Sequence, residues 1–232
     1  MSEYFKFEDT ERDFPYYDNN PRISKKAWVI LLLTLPISFF VYALVGESSE
    51  MIGSLAFALV MLIPLLYFSN WDISLIIHKP TKKEILLAVA LFIGYIIYAV
   101  VVGDILDIIG QGSLSGAEDL GVNVEMTLSL VFSMLAEELI KFIPLMFFMR
   151  LFYRVTANRK LSVIVSTVII LIFFGLLHYE PGLTPIASVL LIQGAGSIFE
   201  LYGYIKTKNL LVPYISHLLT DAFIFILVML GL

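Results

Sequence analysis

Long apolar runs alternate with short polar connectors along the chain, and this pattern predicts its main elements. Apolar stretches of roughly 20 residues recur, which is the length that a helix needs to cross a hydrocarbon core of about 30 Å. The predicted spans are residues 27–45, 50–68, 84–103, 125–149, 161–179, 184–204 and 209–230. The pattern therefore predicts an all-α fold, a polytopic membrane helix bundle of seven transmembrane helices.

The composition agrees with a membrane protein. Hydrophobic residues make up 59% of the 232 residues and charged residues 15%, with a mean hydropathy of +0.90. A soluble domain has roughly 45 to 50% apolar and about 25% charged residues. Cysteine is absent, which excludes disulfides, thiolate metal ligands and a cysteine nucleophile. The net charge of −5 and the lack of a basic surface argue against nucleic acid, so the lipid bilayer is the expected partner.

Basic residues are concentrated before the first span and in every second connector after it. They are Lys25, Lys26, Lys79, Lys82, Lys83, Arg150, Arg154, Arg159, Lys160, Lys206 and Lys208. By the positive-inside rule, the amino terminus is then cytoplasmic and the carboxyl terminus external. We expect an integral, multi-pass protein of the plasma or inner membrane, although an endoplasmic-reticulum protein would show the same pattern.

The chain divides into a tail and one membrane domain. Residues 1–24 are polar and acidic and lack the cationic start of a secretory signal, so we expect a flexible cytoplasmic leader. We expect residues 25–232 to form a single transmembrane domain, in which residues 125–225 hold the motifs described below. In the connector Gly103–Asn123, the segment ILDII forms either a short interfacial helix or part of an exposed loop.

Three spans carry ionisable residues where charge is costly. Each such group costs about 2.5 to 3.5 kcal/mol on insertion scales, so it normally faces a partner or a wet cavity. The residues are Glu137, Glu138 and Lys141 in the fourth span, His178 in the fifth, and His217 and Asp221 in the seventh. Because residues three or four apart share a helix face, each span presents one polar stripe. In the fifth span, Phe174 lies on the same face as His178.

Two chemical schemes fit these residues, and both hydrolyse a peptide bond with activated water. In the first, a glutamate acts as general base, His178 positions the water and His217 donates to an oxyanion. In the second, His178, His217, Asp221 and Glu137 supply the ligands of a catalytic zinc ion with an open position. We rank the metal-free scheme first because no spacing matches a zinc signature such as HExxH. A purely structural role for the polar stripes is the remaining alternative.

The same residues resemble the motifs of the CPBP intramembrane proteases, which include type II CAAX prenyl endopeptidases and bacterial Abi or bacteriocin-immunity proteins. That family shows EExxxR, FxxxH and HxxxN or HxxxD on three membrane helices. The counterparts here are Glu137 with Glu138, Phe174 with His178, and His217 with Asp221. The family's arginine position holds Phe142, and Lys141 one residue earlier makes an EExxK motif similar to PrsW-type proteases.

The resemblance implies an intramembrane endopeptidase that cleaves a membrane-associated peptide or protein, either lipidated or membrane-embedded. It implies Glu137 as general base, Glu138 as its partner, His178 as a water or metal contact, and His217 as an oxyanion donor or ligand. Asp221 would orient or charge His217 or bind metal, with Lys141 and Phe174 in supporting roles. The alternatives are a non-catalytic, peptide-binding immunity protein and a proton-coupled transporter, since arrays of Glu, Lys and His also form proton relays.

Two further features of the sixth span carry expectations. Glu200 lies near its predicted cytoplasmic end, where it should reach the interface or pair with Lys206. The small residues Gly194, Ala195, Gly196 and Ser197 predict a close helix contact rather than chemistry.

Overall fold

The computed structural model of the chain describes residues 3–112 and 122–231. Within these ranges the regular structure is helical, with the bounds α1 Lys25–Gly46, α2 Glu50–Phe68, α3 Lys82–Ile108, α4 Val124–Thr156, α5 Arg159–Leu177, α6 Ile186–Val189, α7 Ile198–Thr207 and α8 Leu211–Met229. A π-helical stretch, Leu190–Ala195, joins α6 to α7, and a short 3-10 turn, Ile73–Leu75, follows α2. The predicted all-α membrane bundle is confirmed.

Polar caps set the starts of the first five helices. Each begins after a Ser, Thr or Asn whose side chain accepts a hydrogen bond from the first helical turn, namely Ser24, Ser49, Thr81, Asn123 and Asn158. The first N–H groups of a helix have no partner within it, and lipid offers none. These caps therefore explain why the apolar runs begin as helices where they do.

Six helical segments are long and apolar enough to cross a membrane among the described residues. They are α1, α2, α3, α5, the continuous segment Ile186–Thr207, and α8. Helix α4 is the longest at 33 residues, or about 50 Å, but it carries the charged residues of the fourth predicted span. Its length suits a seventh span, and the burial of its charges inside the bundle makes that position tolerable.

Helix α4 lies at the centre of the bundle. It packs against α2, α5 and α8 and touches α1, while α3 packs on the outer side of α8 and α7. Helix α5 packs closely on the π-helical stretch: a Cβ atom on Gly175 would lie 2.9 Å from the Gly194 Cα and 2.8 Å from the Val189 carbonyl oxygen. The structure thus confirms a close helix contact at Gly194.

The helix ends form two faces of opposite charge. One face, here called the basic face, consists of residues 3–24 and the α2–α3, α4–α5 and α7–α8 connections. Of the 15 Lys and Arg residues, all but Lys141 lie at or near this face. On the opposite face, here called the acidic face, Ser49 lies 2.8 Å from Glu125 and Thr127 lies 3.4 Å from Met229. The described ends of the chain therefore lie on opposite faces, as an odd number of spans requires.

The amino-terminal residues pack against the basic face, and the expectation of a flexible leader is wrong for residues 3–24. The side chains of Phe14 and Tyr16 are fully buried, and the Tyr16 hydroxyl lies 2.7 Å from the Ser69 hydroxyl. Glu8 binds Arg159 at 2.7 Å and Lys208 at 2.6 Å. The tail is polar, as expected, but its acids meet buried cations that its own sequence does not reveal.

The connector after α3 is shorter than expected. The apolar segment ILDII continues α3 through Ile108 instead of forming a separate interfacial helix. The expected loop falls partly on residues 113–121, which lie outside the described residues.

Candidate active site

Two helices bring the key acids and an imidazole to the same depth. Glu137 lies 13 residues after Val124, the first residue of α4, or about 20 Å from the acidic face. His217 lies six residues after Leu211, the first residue of α8, or about 9 Å from the basic face. These depths add up to about the 30 Å of a hydrocarbon core, so the two side chains meet inside it.

A buried polar cluster connects α4, α7 and α8. Glu138 Oε1 accepts a hydrogen bond from His217 Nδ1 at 2.8 Å and an ion-pair contact from Lys141 Nζ at 2.6 Å. Lys141 also donates to a carboxylate oxygen of Glu200. The Lys141 and Glu138 side chains are 1% and 2% exposed. Each member of the cluster thus has a charged or polar partner, as burial in a membrane interior requires.

Glu200 belongs to this cluster, which the sequence did not predict. Its expected partner, Lys206, instead donates to the Phe7 carbonyl oxygen at 2.9 Å. Glu200 comes to Lys141 because α7 packs beside α8 and α5 near the centre of the bundle. The only available signal was an acid within an apolar span; nothing in the local sequence indicates a partner 59 residues away.

Two further carboxylates face the other ring nitrogen of His217. The Glu137 Oε2 atom lies 3.7 Å from His217 Nε2, and the Asp221 Oδ2 atom lies 4.0 Å from it. These distances are too long for direct hydrogen bonds but suit contacts bridged by a water or a substrate atom. The side chains of Glu137 and Asp221 are 23% and 27% exposed. The site is therefore open on the side of His217 Nε2 and closed on the side of Nδ1.

His178 lies at the edge of this site. It follows the last residue of α5, and its Nδ1 atom is 2.9 Å from the Phe174 carbonyl oxygen. The Phe174 ring packs edge-on against His178 at 4.8 Å and His217 at 6.4 Å, with Lys141 Nζ 4.6 Å from its centre. Phe174 therefore separates the two imidazoles, and among the described residues His178 has no hydrogen bond or ion pair to a carboxylate.

Part of the polar cluster brings possible metal-ligand atoms close together. One group among the described residues, Glu138, Glu200 and His217, places its ligand atoms within 4.8 Å of one another. The ammonium of Lys141 contacts both carboxylates of this group, so it already supplies the positive charge that a metal would bring. This buried group does not fit a divalent cation. Only His217 is shared with the zinc set expected from sequence, and that set stays a prediction.

The site thus combines a partly exposed glutamate and an imidazole inside a helical membrane bundle. Residues 120–223 match the family model described as Type II CAAX prenyl endopeptidase Rce1-like. This match agrees with the resemblance to the CPBP proteases, and the matched residues include every site residue named above. No curated protein and no solved structure matches the chain.

Proposed function

We propose that the protein is an intramembrane endopeptidase in which Glu137 activates the hydrolytic water. The family match supports a CAAX-type protease in general. The observation that carries the mechanism is the pair of Glu137 and His217: a partly exposed carboxylate lies 3.7 Å from an imidazole nitrogen, so one water can contact both groups.

Glu137 and His217 are sufficient for every proton transfer and hydrogen bond of the proposed reaction. Glu137 takes a proton from water as the water oxygen bonds to the carbonyl carbon of the scissile peptide. The carbonyl oxygen becomes an oxyanion, to which His217 Nε2–H donates a hydrogen bond. The C–N bond then breaks, and the protonated Glu137 returns its proton to the leaving amine nitrogen.

Glu138 acts as a positioning residue for His217. It accepts the Nδ1–H of the ring at 2.8 Å, which fixes the ring plane. An oxyanion donor needs a proton on Nε2 as well, so the active ring is the imidazolium, with both N–H groups available. Glu137 and Asp221 lie within 4 Å of Nε2, and their negative charges stabilise that imidazolium.

His178 and Asp221 are assigned to the substrate side of the site. Asp221 is partly exposed and, when ionised, accepts hydrogen bonds only, so we assign it to a substrate N–H group as well as to the charge of His217. His178 is partly exposed at the end of α5, where its ring can contact the peptide or the water.

The depth of the site suggests the substrate class. A peptide bond that reaches Glu137 and His217 must enter the hydrocarbon region, to about 20 Å from one face and about 9 Å from the other. A segment with a lipid group, or with an apolar helix of its own, enters at lower cost than a polar peptide. We therefore propose a lipidated or membrane-embedded peptide or protein as substrate.

The test is cleavage of defined peptides by purified protein in liposomes. The substrates are a farnesylated peptide with a CAAX ending, its unprenylated twin and a transmembrane peptide, with products identified by mass spectrometry. Glu137→Gln should lower the turnover by about 10² to 10⁴, the usual contribution of a general base, without changing the melting temperature. Glu125→Gln, on the same helix but outside the site, should keep full turnover.

Normal turnover by the Glu137→Gln protein would reject the enzyme assignment. Uptake of a solute driven by a pH gradient, abolished by the same substitution, would favour the transporter alternative instead. A chelator that strips zinc should leave turnover unchanged, because Lys141 already neutralises the buried carboxylates. Stoichiometric zinc whose removal abolishes turnover would overturn the metal-free mechanism.

A further inference from the structure

A small apolar groove lies between α1 and α4, close to the basic face and away from the candidate active site. Its volume is about 240 Å³. Apolar side chains form most of its wall and three cations line its polar end, the residues being Trp28, Val29, Leu32, Phe147 and Leu151, with Lys25, Arg150 and Arg154. Arg150 lies 13 residues beyond Glu137 on α4, or about 20 Å along the helix, so the groove is a separate feature.

Arg150 is a buried cation without an anion. It is 5% exposed, and its recorded partner is the Tyr16 carbonyl oxygen, 2.9 Å from the Nη1 atom. No carboxylate pairs with it among residues 3–112 and 122–231, and the charges that act on it, Arg154 and Arg22, are cations. A buried charge normally has a counter-charge, because desolvation is otherwise uncompensated. The described part of the chain therefore supplies no counter-charge for Arg150 in this groove.

Arg159 shows that the fold pairs its other buried guanidinium. That side chain binds Glu8 at 2.7 Å and Asp13 at 2.8 Å on the same face of the protein. Arg150 differs in having no such carboxylate among the described residues, which leaves it free to pair with an anion from outside.

The groove wall contains a second unsatisfied donor. The indole nitrogen of Trp28 is buried and has no hydrogen-bond partner among the described residues. Its ring is held edge-on between Tyr16 and Phe147, at 6.3 and 5.7 Å. An occupant that carries an anionic group beside an apolar chain would suit Arg150 and the apolar wall of the groove.

We propose that this groove binds one anionic phospholipid from the leaflet at the basic face. Its phosphate would contact Arg150, Arg154 and Lys25, and an acyl chain would lie in the apolar part of the groove. A phospholipid combines both chemistries, and basic pockets between membrane helices are where anionic headgroups bind. Val29 and Leu151 are exposed on this surface, so the groove opens directly to the bilayer.

Occupancy also stabilises the basic face. Arg150 holds the backbone of Tyr16, whose side chain is fully buried beneath the packed amino-terminal residues. A phosphate on Arg150 would neutralise the repulsion from Arg154 and Arg22 and so strengthen this contact.

The test uses Trp28 as an internal reporter. The chain has two tryptophans, so Trp71→Phe leaves Trp28 as the only one. This protein is placed in phosphatidylcholine nanodiscs that contain increasing fractions of either brominated phosphatidylglycerol or brominated phosphatidylcholine. We expect half-maximal quenching of Trp28 at a mole fraction at least about tenfold lower for the anionic lipid, since each nearby cation attracts it by about fivefold.

Two exposed cations of the groove provide the variants. Lys25→Gln and Arg154→Gln should each weaken the preference for phosphatidylglycerol by about fivefold and leave the fold intact, because both side chains are exposed. Lys79→Gln removes an exposed cation from the same face but not from the groove, and it should change nothing. Native mass spectrometry should count one retained phosphatidylglycerol in the reporter protein and none in the protein that carries both Lys25→Gln and Arg154→Gln.

Three results would overturn the proposal. Equal quenching by the two brominated lipids would exclude a specific anionic lipid. Loss of the preference in millimolar inorganic phosphate would identify a free-anion site instead. An effect of Lys79→Gln as large as that of Arg154→Gln would mean that diffuse surface charge attracts the lipid. None of these readouts depends on proteolysis, so they are independent of the proposed function.

Discussion

His217 is hydrogen-bonded across two helices to Glu138, at 2.8 Å from Nδ1 to Oε1. Asp221, one helical turn away on the same helix, lies 4.0 Å from the other ring nitrogen. Contacts between α4 and α8, more than the local motif on α8, therefore orient the imidazole. This arrangement leaves Nε2 facing the partly exposed Glu137.

Removing the Glu138 carboxylate should lower turnover through His217. Glu138→Ala deletes the acceptor of Nδ1–H, so the ring loses its fixed orientation, and we expect kcat to fall by about 10² with little change in KM. Glu138→Gln keeps an acceptor oxygen and should recover part of the loss. Steady-state kinetics on the best peptide substrate measures both variants.

The kinetics of the Glu138 variants distinguish a positioning role from a purely structural one. A purely structural Glu138 would lower the amount of folded protein and leave kcat per folded molecule unchanged. Equal kcat values for the Ala, Gln and unmodified proteins would contradict the positioning role.

Lys141 should be the most important single residue for the stability of the cluster. Lys141→Met leaves Glu138 and Glu200 buried without their cation, and breaking a buried pair costs about 3 to 5 kcal/mol. Adding Glu200→Gln removes one of the unpaired charges and should restore part of the stability. The free energy of unfolding, measured by denaturant titration in mixed micelles, gives the comparison.

The matched control is Lys79→Met, which removes an exposed lysine and should change the free energy of unfolding by less than about 0.5 kcal/mol. A Lys141→Met protein as stable as this control would show that the cluster does not hold α4, α7 and α8 together.

The packed amino-terminal residues should be released by acid. Burial raises the pKa of Glu8, but hydrogen bonds from Arg159 and Lys208 lower it more, so its pKa lies below the ordinary value of 4.5. The pKa of Lys208 is also lowered, because burial outweighs the attraction of Glu8. A carboxylate with a lowered pKa stabilises the fold above its unfolded pKa, and this contribution is lost as the pH falls through its folded pKa.

Hydrogen exchange of residues 3–24, corrected for intrinsic rates, should therefore show protection at pH 7 and its loss below about pH 4. Glu8→Gln should lose protection at pH 7 as well, whereas Glu11→Gln, at an exposed position, should keep it. Unchanged protection in the Glu8→Gln protein would mean that the buried aromatic side chains hold the segment without the ion pairs.

The contact between Gly175 and Gly194 should not tolerate a methyl group. A Cβ at Gly175 would lie 2.8 Å from a backbone oxygen, so Gly175→Ala must separate α5 from the π-helical stretch, at about 1 to 3 kcal/mol. Gly103→Ala places its Cβ in open space and is the control. Thermal unfolding of the two variants should differ clearly, and equal melting temperatures would contradict the close approach.

The sequence by itself determined the helices and most of the candidate site. Apolar runs of membrane length are local signals, and they located α1, α2 and α8 within a few residues. The rarity of charge inside such runs singled out Glu137 and His217, because each buried charge needs a reason.

The tertiary structure decided which charges pair. Lys141 joins Glu200 across 59 residues and Arg159 joins Glu8 across 151, while Arg150 has no anion among the described residues. These pairings depend on how each helix is rotated and which neighbour it packs against, and hydrophobic periodicity does not specify either in a bundle whose helices are apolar on most sides. The packing of residues 3–24 was not predicted from the sequence, because their partners are helix ends that are distant in sequence.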